Sequence, residues 1–367
     1  MSVERPRVCL SLRSNDRREP IELSKWKSYE VESDLLTPAD AFHFVAPNIN
    51  GEHAGEIIPE DTVRVTVDGE VVAVGNVDDV AYEVTDEGST LSIAGRDPGR
   101  FLADCSARVV RLQGKTLEDL ARILAEEWVP IWMTNQIGST ALPRAKKFKV
   151  DPGETVLDCL NRFAAQAKVL IWIDEQGRGV IGRPNYRQAP SFALYRYLPD
   201  SPNASRNNVL TGRIALTSRE SFSTVTCLSA VSNSGSGGGL FGGGGGGLFG
   251  GGHGKSKSKL RGTATDRSVR THKPKVISGQ AANTKQAQTL AEEEVQKAQF
   301  GSWRGIFTVP GHYNNGKLWS IDTLCTLTDE VSGFHGTYYV VRRRFTGDSG
   351  GARTEVELRP KGIYLVE

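Results

Sequence analysis

Apolar and polar side chains alternate through most of the stretch from Pro6 to Ile93, the period of half-buried strands. The clearest cases are Thr62–Val67 (TVRVTV), Glu70–Val77, Val80–Thr85 and Thr90–Ala94. Asp68-Gly69 separates the first two, and such a pair suits a two-residue type I′ hairpin because both central residues need positive φ. Asp86-Glu87-Gly88 makes the next turn. The pattern predicts an antiparallel β module.

The period then changes. Leu117, Leu120, Ala121, Leu124 and Trp128 fall on one helical stripe after Thr116, which can cap it. A second helix is expected from Asp151-Pro152-Gly153-Glu154, with Asp151 as cap and Val156, Leu157, Leu160, Ala164 and Ala167 on the buried side. Val169–Ile173, a turn at 176–179 and Val180-Ile181 read as a hairpin, which completes a small α+β module. Strands resume over Asn208–Thr217 and Ser221–Ala230. After a glycine-rich stretch, Asn283 with Gln286 caps a helix over 283–299. Further strands are expected near Ile306–Val309, Leu318–Leu327, Thr337–Phe345 and Thr354–Leu358.

Composition changes this picture in one place. Of 40 glycines in 367 residues, 14 lie between Gly235 and Gly254. That window has few large apolar side chains to offset the entropy of ordering it, so 231–280 is expected to be a flexible loop. The charge is nearly balanced, 45 basic against 43 acidic residues, which argues against a polycation or an acidic disordered chain. No apolar run reaches the roughly 20 residues of a membrane-spanning helix, and Met1–Pro20 is charged where a signal peptide is apolar. A cytosolic site of synthesis and folding is expected. Five scattered cysteines, with no CxxC, suggest neither a disulfide framework nor a zinc site.

Each candidate for chemistry lacks a part. Gly254-Lys255-Ser256 resembles the end of a phosphate-binding loop, but the first glycine of that motif would fall on Phe249. The basic run Lys255, Lys257, Lys259, Arg261, Arg267, Arg270, Lys273 and Lys275 could hold phosphates by charge, yet it lacks aromatic residues for stacking on single strands. The repeated Leu240-Phe241-Gly242 and Leu248-Phe249-Gly250 could dock on a partner; a low-complexity expansion explains them as well. Cys105 or Cys159 could act as a nucleophile with His43, His53, His312 or His335, but no nucleophile motif surrounds either. Histidines at metal-ligand spacing are missing, and acidic pairs such as Asp78-Asp79 are ordinary on solvated surfaces. No cofactor and no metal are expected.

The segments Gly95-Arg96-Asp97 and Leu102-Ala103-Asp104-Cys105-Ser106-Ala107 resemble the baseplate hub (tail hub) proteins of Mu-like contractile-tailed phages. In that family a "gyvd" strand, a "v.GRd" strand and a "DLvDCSA" segment follow one another. The counterparts are Val74–Asp78, Ile93–Asp97 and Leu102–Ala107. Thr116–Ala121, Val150–Leu160, Asn208-Val209-Leu210, Val309–His312 and Leu318–Asp322 continue the likeness in order. The signature residues are Gly95, Arg96, Asp97, Leu102, Asp104, Cys105 and Ser106, with a structural role.

The resemblance implies an α+β, mostly β fold. It has two tube-like antiparallel β-barrel domains, 1–95 and 207–367, around an α+β domain at 96–206; the second is interrupted by the loop 231–280 and the helix 283–299. It further implies a non-enzymatic homotrimeric ring between the hexameric tail tube and the central spike, in the virion tail baseplate, enclosing the passage for DNA. Partners would be other copies of the chain, the tube and spike proteins, and the tape measure and other baseplate proteins; DNA would be transiting cargo and no membrane is involved. The alternative is a tail-associated cell-wall hydrolase or peptidase with a cysteine nucleophile.

Overall fold

A computed structural model of the chain describes residues 6–14, 19–48, 55–86, 88–135, 144, 148–230, 259–279, 281 and 283–362. They divide into one unit of Met1–Ala215 with Arg304–Glu367 and a second of Leu216–Trp303. In the first unit, alternation decides which way each strand faces. Seven strands open it: β1 (Val8–Arg13), β2 (Ile21–Leu23), β3 (Ser28–Asp34), β4 (Ala41–Pro47), β5 (Thr62–Val67), β6 (Glu70–Thr85) and β7 (Gly88–Arg96). Val8, Leu10 and Leu12, then Val63, Val65 and Val67, and Leu91 and Ile93 are buried, while residues between them face outward. Each such side chain is worth roughly 1.5–3 kcal/mol when buried, so a one-residue slip would forfeit the whole set.

Asp68 and Gly69 both have positive φ, 49° and 89°, as the expected hairpin turn requires. The two strands expected over 70–77 and 80–85 are one. β6 runs unbroken for 16 residues, and its ladder to β7 slips between Val77 and Asp79. A bulge bends a strand without ending it.

The α+β module contains α1 (Gly99–Asp104), β8 (Arg111–Leu112), α2 (Leu117–Ala125), β9 (Trp132–Asn135), β10 (Phe148–Lys149), α3 (Val156–Ala167), β11 (Leu170–Ile173) and β12 (Gly179–Gly182). Thr116 caps α2 by accepting from the Asp119 backbone, and Asp119 returns the bond. The cap of α3 is Thr155, not Asp151. Asp151 and Glu154 do bond reciprocally, but they close a turn with Gly153 at φ 86°, and the helix starts beyond it. Leu120 and Ala121 of α2, Val156 and Leu160 of α3, and Ile181 of β12 form a core that also receives Leu102 of α1.

The C-terminal module adds β13 (Phe192–Arg196) and β14 (Thr211–Leu216). The second unit contributes β15 (Thr224–Ala230), β16 (Lys259–Thr265), β17 (Pro274–Ser278) and α4 (Thr284–Ser302). The chain ends with β18 (Trp303–Pro310), β19 (Tyr313–Asn314), β20 (Lys317–Leu318), β21 (Thr323–Asp329), β22 (Phe334–Asp348) and β23 (Gly351–Arg359). The single strand expected over 318–327 is broken at Asp322, whose φ is 54°.

β22 joins the two β modules. Along one edge it carries β23; along the other it pairs first with β21, through residues 334–340, and then with β3, through Arg342–Gly347. The register slips between Val340 and Arg342, where Leu35 N bonds Val341 O at 2.9 Å. One sheet of 13 strands results, in the order β14-β18-β23-β22-β3-β4-β7-β6-β5-β1-β2 with β21 and β13 branching at this fork. β13 and β21 pair in parallel.

In the second unit, β15 lies between antiparallel β16 and parallel β17, and α4 covers one face. Residues 259–265 and 274–278 are thus strands, which corrects the expectation of a loop running to 280. Alternating Leu260, Gly262 and Ala264 turn toward α4 and give β16 a buried side that composition alone concealed. At Gly262 the helix backbone comes so close that a Cβ would lie 2.1 Å from the Ala287 carbonyl carbon. Asn283 caps α4 as expected. The motif at Gly254–Ser256, both Leu-Phe-Gly units and His53 lie outside the described residues.

Candidate functional site

The residues singled out by family likeness meet at one joint, between the β6–β7 hairpin and the α+β module. Gly95 sits where a Cβ would be 2.2 Å from Asn76 O and 2.4 Å from the Phe42 ring. Arg96, next along β7, bonds Asp78 of β6 at 2.7 Å and Asp104 at the end of α1 at 2.8 Å. Arg100 of α1, almost wholly buried, also bonds Asp78, and Glu60 at 2.5 Å. Burial works against the charge on Asp78, but hydrogen bonds from Arg96 and Arg100 outweigh it and hold the carboxyl below its usual range. Hydrogen bonds to Asp78, first, and to Asp104 raise the Arg96 guanidinium. Asp78 was expected to be an ordinary solvated acid, and it instead bridges Arg96 and Arg100, which reach on to Asp104 and Glu60. Arg100 and Glu60 carried no sequence signal, since only the three-dimensional approach of β6 to α1 gives them roles.

The rest of the signature extends the joint. Leu102 is fully buried in the α+β core. Cys105 closes α1 by bonding Phe101 O and accepts from Val156 N, the first residue of α3; Ser106 bridges Thr155. The Gly95–Ser106 run therefore links β7, α1 and α3 in sequence.

A buried charge group lies at the end of the same hairpin. Asp97 N bonds Asp40 O at 2.9 Å, Asp97 Oδ1 accepts from Gly99 N at 2.7 Å, and Asp40 Oδ1 accepts from Asp34 N at 2.7 Å. Burial pushes Asp97 up to about 7, against the pull of backbone N–H groups from Gly99, Asp40 and Ala39. Burial, then the neighbouring Asp97 charge, raises Asp40 as well. Arg343 of β22 is fully enclosed; it donates to Val72 O at 2.9 Å and stacks on the Phe345 ring at 4.1 Å. Outside this group, β3, β22 and β23 carry cross-strand ion pairs: Arg342 with Glu32 (3.2 Å) and Glu355 (2.7 Å), and Arg344 with Glu30 (3.2 Å). These arrangements fasten strands; they offer no nucleophile and no open acid–base pair.

Of the cysteine candidates, Cys105 is half-buried at the end of α1 and Cys159 packs into the α+β core. Cys159 is buried in α3, where burial and then the Glu154 carboxylate push its thiol up to about 12, the reverse of an activated thiolate. His312, also buried, contacts the Tyr29 hydroxyl (2.8 Å) and Thr354 Oγ1 (3.1 Å), and His43 contacts Ser92 Oγ (2.9 Å). All five thiols are free. Among the described residues no three His, Cys, Asp or Glu side chains are grouped to hold a metal, and no helix is long and apolar enough to cross a membrane.

Residues 21–97 match the family described as Mu phage baseplate assembly protein GpP-like, N-terminal, and residues 100–183 match the baseplate hub protein gp44-like second domain. The joint at Gly95–Ser106 lies across the boundary between the two matches. Baseplate hub protein gp44 of Escherichia phage Mu is 25% identical over 350 residues, 93% of this chain and 86% of that protein. A tail protein from Neisseria meningitidis MC58 superposes with a TM-score of 0.75 at 25% identity, covering 97% of this chain and 98% of the other. The fold is shared too with the 43 kDa tail protein of prophage MuSo2 from Shewanella oneidensis, with a TM-score of 0.72 at 23% identity and coverage of 97% and 98%. Two consecutive family domains and a relative alike over nearly the full length make the chain similar to the baseplate hub proteins of Mu-like phages.

Proposed function

We propose that the chain works as a homotrimeric ring joining the tail tube to the central spike, enclosing the DNA passage and catalysing no reaction. The observation that carries this reading is the fork at β22. It fuses an N-terminal β module (1–95) and a C-terminal one (within 207–367) into one sheet, so each copy would present two tube-like modules, and three copies would give six. Such a ring matches a hexameric tube on one face and a trimeric spike on the other, with every interface of a closed cycle satisfied. The sheet ends in β2 and in β14, whose residues are largely exposed. Exposed edges of this kind invite pairing, and neighbouring copies would cover them.

The nearly balanced charge of the chain, 45 basic against 43 acidic residues, supports a passage that releases DNA, because it gives phosphates little to displace. Synthesis in the host cytoplasm, before incorporation into the baseplate, fits the free thiols. Light scattering coupled to size exclusion, at several concentrations and with co-expressed spike protein, tests the assembly. A species near three times 39.9 kDa is expected, with no cysteine-dependent cleavage of cell wall. A monomer under both conditions, or turnover abolished by Cys105→Ala or Cys159→Ala, would overturn it.

A further inference from the structure

The near-zero net charge of the whole chain conceals a separation between its two units. Residues 216–303 hold 11 Lys and Arg against 5 Asp and Glu, while the rest of the chain holds 34 against 38. Within the second unit the acids are largely spent on structure. Asp266 is buried and accepts from Ser268 N (2.8 Å) and Oγ (2.6 Å), Glu294 pairs with Lys275 at 2.6 Å, and Glu292 accepts from Gln288 at 2.8 Å. Glu293 of α4 and Glu220, next to Arg219, complete the five.

Two exposed cations, Arg267 and Arg270, are presented by a fixed loop, whose Lys273 donates from Nζ to Ser218 O (2.7 Å) and Arg219 O (2.6 Å). Residues 266–273 connect β16 to β17, and Ser223 clamps both ends. Asp266 N bonds Ser223 O (3.1 Å), Ser223 N bonds Lys273 O (2.9 Å), and Lys273 N bonds Ser223 Oγ (2.8 Å). Arg267 and Arg270 project from this loop into solvent, as does Arg261 from β16. Beside the loop lies an open cavity of about 540 Å³ lined by Thr217, Ser218, Ser268, Arg270, Thr271 and Lys273. Hydroxyls and cations are the groups that coordinate phosphate oxygens. Phe222, the aromatic ring beside them, is already engaged by Lys273 and Lys275 at 5.0 and 4.6 Å.

We propose that the 266–273 loop and its cavity bind the phosphodiester backbone of nucleic acid, without regard to sequence. A clamped loop has little entropy left to lose, and each neutralised phosphate releases counterion, so binding is strongest at low salt. The absence of an available stacking ring favours the backbone over bases, and the hydroxyl lining favours phosphate over the carboxylates of an acidic protein. Binding at this site does not depend on the ring proposed above.

The test uses the full chain and a fluorescent duplex of mixed sequence, with anisotropy recorded from low to high salt. R267A/R270A is expected to weaken binding at low salt and to flatten the plot of log affinity against log salt by about 2, at about 0.9 per phosphate contact. R267K/R270K should restore both, since a point charge suffices. R64A/K317A, which removes two exposed charges from the other unit, should change neither. Failure of the wild type to bind, equal losses in both alanine pairs, or equal affinity for poly-glutamate would overturn the assignment. Circular dichroism of each variant separates loss of binding from loss of fold.

Discussion

Two buried residues titrate in opposite senses. His312 is held near 4 by burial, aided by the Arg343 charge, so the fold favours neutral imidazole. Its contribution is full above the ordinary value of about 6.5 and is lost as pH falls through 4, on the order of 3 kcal/mol in all. Asp97, pushed up to about 7, favours the protonated acid; its contribution is full below about 4 and is lost as pH rises through 7. Between pH 4 and 6.5 the two slopes oppose each other. Relative to the wild type, the melting temperature of His312→Gln should therefore fall with pH across that range and that of Asp97→Asn should rise with it. Curves parallel to the wild type would show that neither group titrates as its burial requires. Part of this joint was legible in sequence, because the Gly-Arg-Asp and Asp-Cys-Ser segments could be matched to a family. Its physical reason was not. That Gly95 faces Asn76 O, or that Asp78 faces Arg100, depends on how a bulged hairpin meets a short helix, and neither local propensity nor periodicity encodes that meeting.

At the level of elements, strong local signals carried through. The Asp68-Gly69 turn, the Thr116 cap and the Asn283 cap form where spacing placed them, since each involves bonds within four residues. Elements defined by distant partners were harder to see. β16 and β17 are short, and their sequences (KLRGTAT and PKVIS) have few large apolar residues; they are strands because β15 and α4 supply the other half of a core built mostly from alanine and valine. Such a core depends on close approach. Gly262→Ala would put a methyl group into the backbone of α4 at Ala287 and Gln288, and overpacking of this kind costs roughly 1–3 kcal/mol or more. Hydrogen exchange should then show faster exchange over β15–β17 and α4, with protection of the first unit's strands unchanged. Loss of protection in both units alike would mean that they unfold together.

At the level of the whole molecule, the second unit is an excursion from the edge of the large sheet. The chain leaves after β14 and returns at β18, strands that neighbour each other in that sheet, and Thr217 N bonds Ser302 O at 2.8 Å. The ends of the excursion are thus one hydrogen bond apart. Replacing residues 218–301 with Asn-Gly should close them as an ordinary hairpin. The shortened chain is expected to keep the oligomeric mass of its parent, in proportion to its length, and to lose retention of duplex DNA. A soluble monomer, formed where the intact chain assembles, would place the second unit in the assembly interface instead.

The fork at β22 also gives the molecule a mechanical grain. Six consecutive residue pairs, Arg342 with Asp34 through Gly347 with Tyr29, tie the two modules along antiparallel strands. Antiparallel ladder bonds run across the strands. A load directed along β22 shears the rungs together and must break them as a set, whereas a load directed across it peels them one after another. The seam is stiff in the first direction and yielding in the second, so the orientation of the chain in a loaded assembly decides whether its two modules move as one piece or part like a zip.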